Sequence, residues 1–179
     1  MAVLERADWR QRYRCLEPSE RHRDRWAPPQ QAAISEALRV FETDRKLVLP
    51  RSYKSFAHVF GYGEMANYFR ICVPCVEDDY GDLVVFNRKA QEGDGYYWAG
   101  DPGRLRQTVF LALTIGGEAV VWDTTTVTDP VALEYRICWL DRRDEVYRTS
   151  DSFPQFIDEM CLKVFEGEGE ENPQEFLPY

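Results

Sequence analysis

The order of hydrophobic periods along the chain predicts an α+β fold. We expect an antiparallel sheet of about five to six strands, flanked by N-terminal helices and a C-terminal helix. Three observations carry this reading. Apolar residues fall at helical spacing in the first third of the chain, they alternate through the middle, and helical spacing returns after Ser152. No internal repeat interrupts that order.

The first predicted helix runs from about Leu4 to Leu16, with Trp9, Tyr13 and Leu16 on one face and arginines on the others. Glu17-Pro18-Ser19 breaks it. Pro28-Pro29 opens a second helix, with Ile34, Leu38 and Phe41 at helical spacing. The third is the most sharply marked. Leu47-Val48-Leu49 leads to Pro50, which suits a first helical turn because its missing N–H has no partner there. Tyr53, Phe56, Ala57 and Phe60 then share one face. Gly61 and Gly63 are expected to carry the chain out of the helix through positive φ.

Strand signals follow. Phe69, Ile71 and Val73 alternate, and Asp82-Leu83-Val84-Val85-Phe86 reads as a short apolar strand. Residues 87–107 read as a loop, punctuated by Gly93, Gly95, Gly100, Pro102 and Gly103. A loop that long in a compact domain commonly carries function. Val109, Leu111, Leu113 and Ile115 alternate with Phe110, Ala112 and Thr114, so both faces of this strand should be buried. Gly116-Gly117 is a hairpin signal, and Glu118 to Asp123 returns as the partner strand. Tyr135, Ile137 and Trp139 form another strand, 140–144 a turn, and Val146 to Thr149 a last short strand.

Ser152-Phe153-Pro154-Gln155 has capping-box spacing with proline in the first turn. Phe153, Phe156, Ile157, Met160, Cys161 and Val164 continue as one helix face, which Gly167 ends. The chain thus divides into an arginine-rich N-terminal extension (1–28), an α+β domain (29–166) and an acidic tail (167–179). The tail is expected to be mobile, or docked only by Phe176-Leu177.

The net charge of −9 over 179 residues hides an asymmetry. Residues 1–26 carry seven arginines against five acids, and the rest of the chain carries −11. An acidic body repels a phosphate backbone and favours a basic protein partner. We therefore expect no nucleic-acid binding. No apolar run reaches the roughly 20 residues that span a bilayer, and the N-terminus lacks a signal-peptide core, which predicts no membrane contact and a cytoplasmic protein. Five cysteines, at 15, 72, 75, 138 and 161, do not suggest a disulfide framework and fit reduced thiols.

Cys72-Val73-Pro74-Cys75 has redox or zinc spacing. No second pair follows it, and the pair leaves a strand instead of opening a helix, so structural thiols are the expectation. A cysteine hydrolase needs a base beside its thiolate. Only His22 and His58 are available, neither in a signature context. Gly93-Asp94-Gly95 lacks the Gly-Lys-Ser/Thr that would make it a phosphate loop. Glu77, Asp78, Asp79 and Asp82 surround Tyr80 without the closing glutamate of an EF-hand. They read equally as a solvated loop or as an acidic, aromatic binding surface. That surface would continue through Asp94, Tyr96, Trp98 and Asp101, with Tyr and Trp as anchors for a basic protein. No catalytic residue, metal or cofactor is predicted.

The Leu-Pro-x-x-Tyr-Lys-x-Phe helix, its glycine exit, the Gly-containing hairpin ending at Asp123 and the Ser152-Phe153 helix together resemble the SUKH superfamily. The resemblance spans about Pro29 to Phe165 and leaves out residues 1–28 and the 87–107 insert. It implies a non-enzymatic protein-binding domain. Bacterial members are typically immunity proteins that neutralise toxins, often nucleases, and fungal members are cell-wall and signalling regulators. On that basis Leu49, Pro50, Tyr53, Phe56, Gly61, Asp123 and Phe153 are structural positions. The expected function is toxin neutralisation by a monomer or weak dimer, with a regulatory or scaffold interaction module as the alternative.

Overall fold

A computed structural model describes Trp9, Gln11 and residues 31–92, 102–141, 143, 145–163 and 176–178. Within these, helix α1 (Gln31–Arg45) and helix α2 (Arg51–Phe60) precede strands β1 (Gly63–Met65) and β2 (Phe69–Ile71). Helices α3 (Leu83–Glu92) and α4 (Pro102–Arg106) follow. Then come β3 (Thr108–Thr114), β4 (Ala119–Asp129), β5 (Glu134–Leu140) and β6 (Val146–Ser150). A short α5 (Phe153–Gln155) runs into a π-helix (Phe156–Cys161), and β7 (Phe176–Pro178) closes the order. All seven strands form one antiparallel sheet, β6-β5-β4-β3-β2-β1-β7. The fold is α+β as expected, with more strands than the five to six predicted, because Gly63-Glu64-Met65 and Phe176-Leu177-Pro178 carry no alternation of apolar and polar residues.

Helix α2 is the centre of one face. Tyr53, Phe56, Ala57 and Phe60 are all buried, as their spacing predicted. The Tyr53 ring meets Trp122 of β4 at 4.9 Å, and Phe56 meets Phe153 of α5 at 5.2 Å. Trp9 joins this group although the rest of its predicted helix, Gln11 excepted, lies outside the described residues. It is fully buried, its ring 5.5 Å from Phe56, and its indole N–H donates to the Ser52 carbonyl at 3.1 Å. Glu42 ties α1 to α2 by accepting from the Leu49 N–H at 2.7 Å and from Lys54 Nζ at 2.8 Å. The buried Glu134 joins β5 to both neighbouring helices, accepting from the Ser52 hydroxyl and the Phe153 N–H. Burial raises its carboxyl pKa even against those bonds.

Residues next to one another in a strand face opposite ways. Val109 pairs with Trp122 and so faces α2, whereas Phe110 pairs with Val121 and faces the other side. There α3 covers the sheet, with Phe86 at 4.9 Å from Phe110. The Asn87 side chain accepts from the Phe110 N–H at 2.8 Å and donates to its carbonyl at 3.0 Å, just beyond the end of the β2–β3 pairing. One buried amide therefore supplies the pairing that a longer β2 would have supplied.

Several expectations need correction. Asp82–Phe86 is not a strand. Asp82 caps a helix whose buried positions, Leu83, Phe86, Asn87 and Ala90, follow i, i+3, i+4 and i+7. The polar Asn87 hid that stripe. Residues 87–107 are correspondingly less of a loop, since helix continues to Glu92 and returns at Pro102–Arg106. Gly61 does take positive φ, at 71°, but Gly63 is extended strand. What Gly63 meets is crowding: an added Cβ would lie 2.3 Å from Phe176 Cζ. The Gly116-Gly117 hairpin forms, with Gly117 at φ 80°. β4 runs on past Asp123 to Asp129. The Ser152 hydroxyl accepts from the Gln155 N–H at 3.2 Å, as the capping-box spacing predicted. The helix it opens widens after one turn to π geometry, with the Leu162 N–H reaching the Ile157 carbonyl at 3.0 Å.

Candidate functional site

The segment from Cys72 to Asp82 leaves the end of β2, turns and returns beside itself. The Val73 N–H donates to the Gly81 carbonyl at 3.0 Å, and the Leu83 N–H donates to the Val73 carbonyl at 3.1 Å. Two carboxylates hold this turn from within. Asp82 is buried, and its two oxygens accept four backbone N–H groups. Oδ1 takes those of Val84 (2.8 Å) and Val85 (2.9 Å), the orphan donors of the first turn of α3. Oδ2 takes those of Cys75 (2.7 Å) and Val76 (3.2 Å). Asp78 accepts the Tyr62 hydroxyl at 2.6 Å and the Tyr80 N–H at 3.0 Å. Partial burial opposes its ionisation. The bonds from Tyr62, Tyr80 and Gly81, with the charge of Arg70, outweigh this and hold its pKa below the usual carboxylate range. Tyr62 packs so closely that a Cβ on Gly81 would lie 2.3 Å from its ring.

These roles separate the predicted acids. Asp78 and Asp82 are committed inward and build the turn. Glu77, Asp79 and Tyr80 are exposed on it. Asp79 pairs with Lys89 of α3, whose ammonium also lies 5.9 Å from the Tyr80 ring centre. Asp94, Tyr96, Trp98 and Asp101 lie outside the described residues. Beside the turn opens a groove of about 520 Å³, lined by Tyr62, Arg70, Cys75, Val76, Glu77 and Asp78. Tyr62 and Arg70 were not predicted here. Arg70 had a signal, since a charged residue between Phe69 and Ile71 in an alternating strand must face away from their core. Tyr62, lost among glycines, had none.

The cysteine pair sits on the same segment. Cys72 is fully buried and donates weakly to the Tyr80 carbonyl, whereas Cys75 is exposed and turns the chain at φ 68°. Burial, with the nearby Asp78 and Asp82 carboxylates, drives the Cys72 thiol pKa far up, and burial with Asp82 raises that of Cys75. Both changes oppose thiolate formation. The ring nitrogens of His58 lie 2.6 Å from the Lys54 carbonyl and 2.8 Å from Ser35 Oγ, within the α1–α2 packing. Among the described residues no three His, Cys, Asp or Glu side chains gather as a metal-holding set, and no helix is long and apolar enough to cross a membrane.

Fold and site thus define an α+β domain that displays a braced acidic turn beside an open groove. Comparison of the chain with protein-family models, with curated proteins and with solved structures finds no match in any of the three.

Proposed function

We propose that this chain is a non-enzymatic protein-binding domain that recognises a basic partner through the turn at 75–82. The observation that carries the reading is the division of labour among its acids. Asp78 and Asp82 lock the backbone, so Glu77 and Tyr80 are presented on a main chain with little freedom left to lose on binding, with Asp79 held beside them by Lys89. The neighbouring groove gives room for an anchoring side chain; Arg70 on its wall is offset by Asp78, which leaves Glu77 as the acid offered to a basic group there. The net charge of −9 adds long-range attraction for a basic protein. The resemblance to the SUKH superfamily extends the proposal to immunity, with the partner a toxin domain and inhibition by covering its cleft.

The test uses Glu77→Lys with Asp79→Lys, which alter the presented charges and leave Asp78 and Asp82 in place. Partners captured on the wild-type protein are compared with those captured on the double variant, at low and raised salt. We expect the specific partner to be basic, to be released by salt, and to be lost from the variant. Co-expression with a toxin encoded beside this chain should rescue growth with the wild type and not with the variant. Undiminished capture and rescue by a folded variant would remove this surface from consideration.

A further inference from the structure

The outer edge of β1 is a strand-acceptor groove, and its occupant is the chain's own segment 176–178. Residues 63–65 pair antiparallel with it in the register Gly63↔Pro178, Glu64↔Leu177 and Met65↔Phe176. The contacts that define the acceptor come from α2 and β1. Phe176 is fully buried, with its ring 5.4 Å from that of Phe60 and 6.1 Å from that of Phe56. Gly63 is the floor, for any side chain there would strike the Phe176 ring at 2.3 Å and the Leu177 carbonyl at 2.6 Å. The segment is thus held like a peptide ligand, by main-chain pairing and one aromatic anchor.

Three features make this docking exchangeable. Among the described residues the strand stands at the end of the sheet and pairs with β1 alone. It is only three residues long. It lies far from its acceptor in sequence, so no tight turn between the two dictates which molecule supplies it. A second copy carries the identical donor and the identical groove, with register and anchor already matched. We propose that β7 exchanges between two copies of this chain, each donating Phe176 and Leu177 to the β1 edge of the other. Exchange of an identical element is a low-cost route to a dimer, and it leaves no sheet edge newly open. This inference does not depend on the partner-binding reading above.

Two full-length variants isolate the two halves of the contact. Gly63→Val blocks the groove and releases a normal strand. Phe176→Ala weakens the strand and leaves the groove open. Neither has both halves, so each alone should run as a monomer by light scattering after size exclusion. Their mixture should yield a species of twice the chain's mass, with one of each variant by mass spectrometry. Monomers only, from a mixture in which both variants show native circular dichroism, would overturn the proposal. If Gly63→Val does not fold, a labelled peptide of residues 171–179 is titrated into Phe176→Ala. Saturable binding, lost when the peptide's own phenylalanine is alanine, supports the acceptor groove. Absence of binding, or equal binding of both peptides, refutes it.

Discussion

Replacing Asp82 by alanine removes the acceptor of four backbone N–H groups at once. Two of the four, at Val84 and Val85, are the N-cap bonds of α3, and losing a cap of this kind costs about 1 kcal/mol. The bonds to Cys75 and Val76 are charge-assisted, and each would be worth roughly 1.5–3 kcal/mol if sealed from water. Cys75 is exposed and Val76 half-buried, so water replaces part of that pair, and we count about 2 kcal/mol for both. Asp82→Ala should therefore lose about 3 kcal/mol of unfolding free energy in urea titration. For a chain this long that corresponds to a fall in Tm of roughly 6–12 °C. Asp82→Ser keeps a cap acceptor without reaching the loop, and should recover about 1 kcal/mol of the loss. Asp79→Ala, at an exposed position, should stay within about 0.5 kcal/mol of wild type. If Asp82→Ala were as mild as Asp79→Ala, the assignment of Asp82 as the brace of the turn would fail.

Trp9→Ala should lose about 3–5 kcal/mol in the same assay, because it empties a fully buried indole site against Phe56 and Phe153. A loss below 1 kcal/mol would mean that residue 9 does not belong to the core. Asp78 has a folded pKa below its unfolded value, so its stabilising contribution is complete above the ordinary carboxylate pKa and disappears as pH falls through the folded one. Tyr62→Phe removes one of the bonds that lower that pKa, and should flatten the decline of stability as pH falls through and below the ordinary carboxylate range; an unchanged acid limb would argue against the Tyr62–Asp78 bond. In native protein treated with iodoacetamide, peptide mapping should find Cys75 modified and Cys72 protected, with both modified after unfolding. Equal labelling of the two in the native state would contradict the burial of Cys72.

How far the chain could be read in advance differs from element to element, for identifiable reasons. Helix α2, strands β3 to β6 and the Ser152 cap were legible because each carries its own period or punctuation. Helix α3 was not. Leu83-Val84-Val85-Phe86 has strand-like composition, and the helical stripe passes through Asn87, a polar residue that is buried only because Phe110 offers it both backbone groups. The β1–β2 turn was silent too, since it places Ala66 and Asn67 at φ 53° where glycine would have announced it. At the candidate site, the acids and Tyr80 were found as a cluster. Which of them face outward was not, because Asp78 and Asp82 differ from Glu77 and Asp79 only in their partners.

Local pattern was therefore enough for the class of fold, the aromatic face of α2 and the position of the acidic turn. Burial acts on a segment through its own spacing, and that spacing is written in neighbouring residues. The inward roles of Asp78 and Asp82, the pairing of Asn87 with β3, the partners of Trp9 in the core and the place beside Gly63 where Phe176 docks came from contacts between distant parts of the chain. A hydrogen-bond acceptor or a glycine looks the same in sequence whether it meets water or a buried ring. Only the folded arrangement supplies the partner that gives it a role.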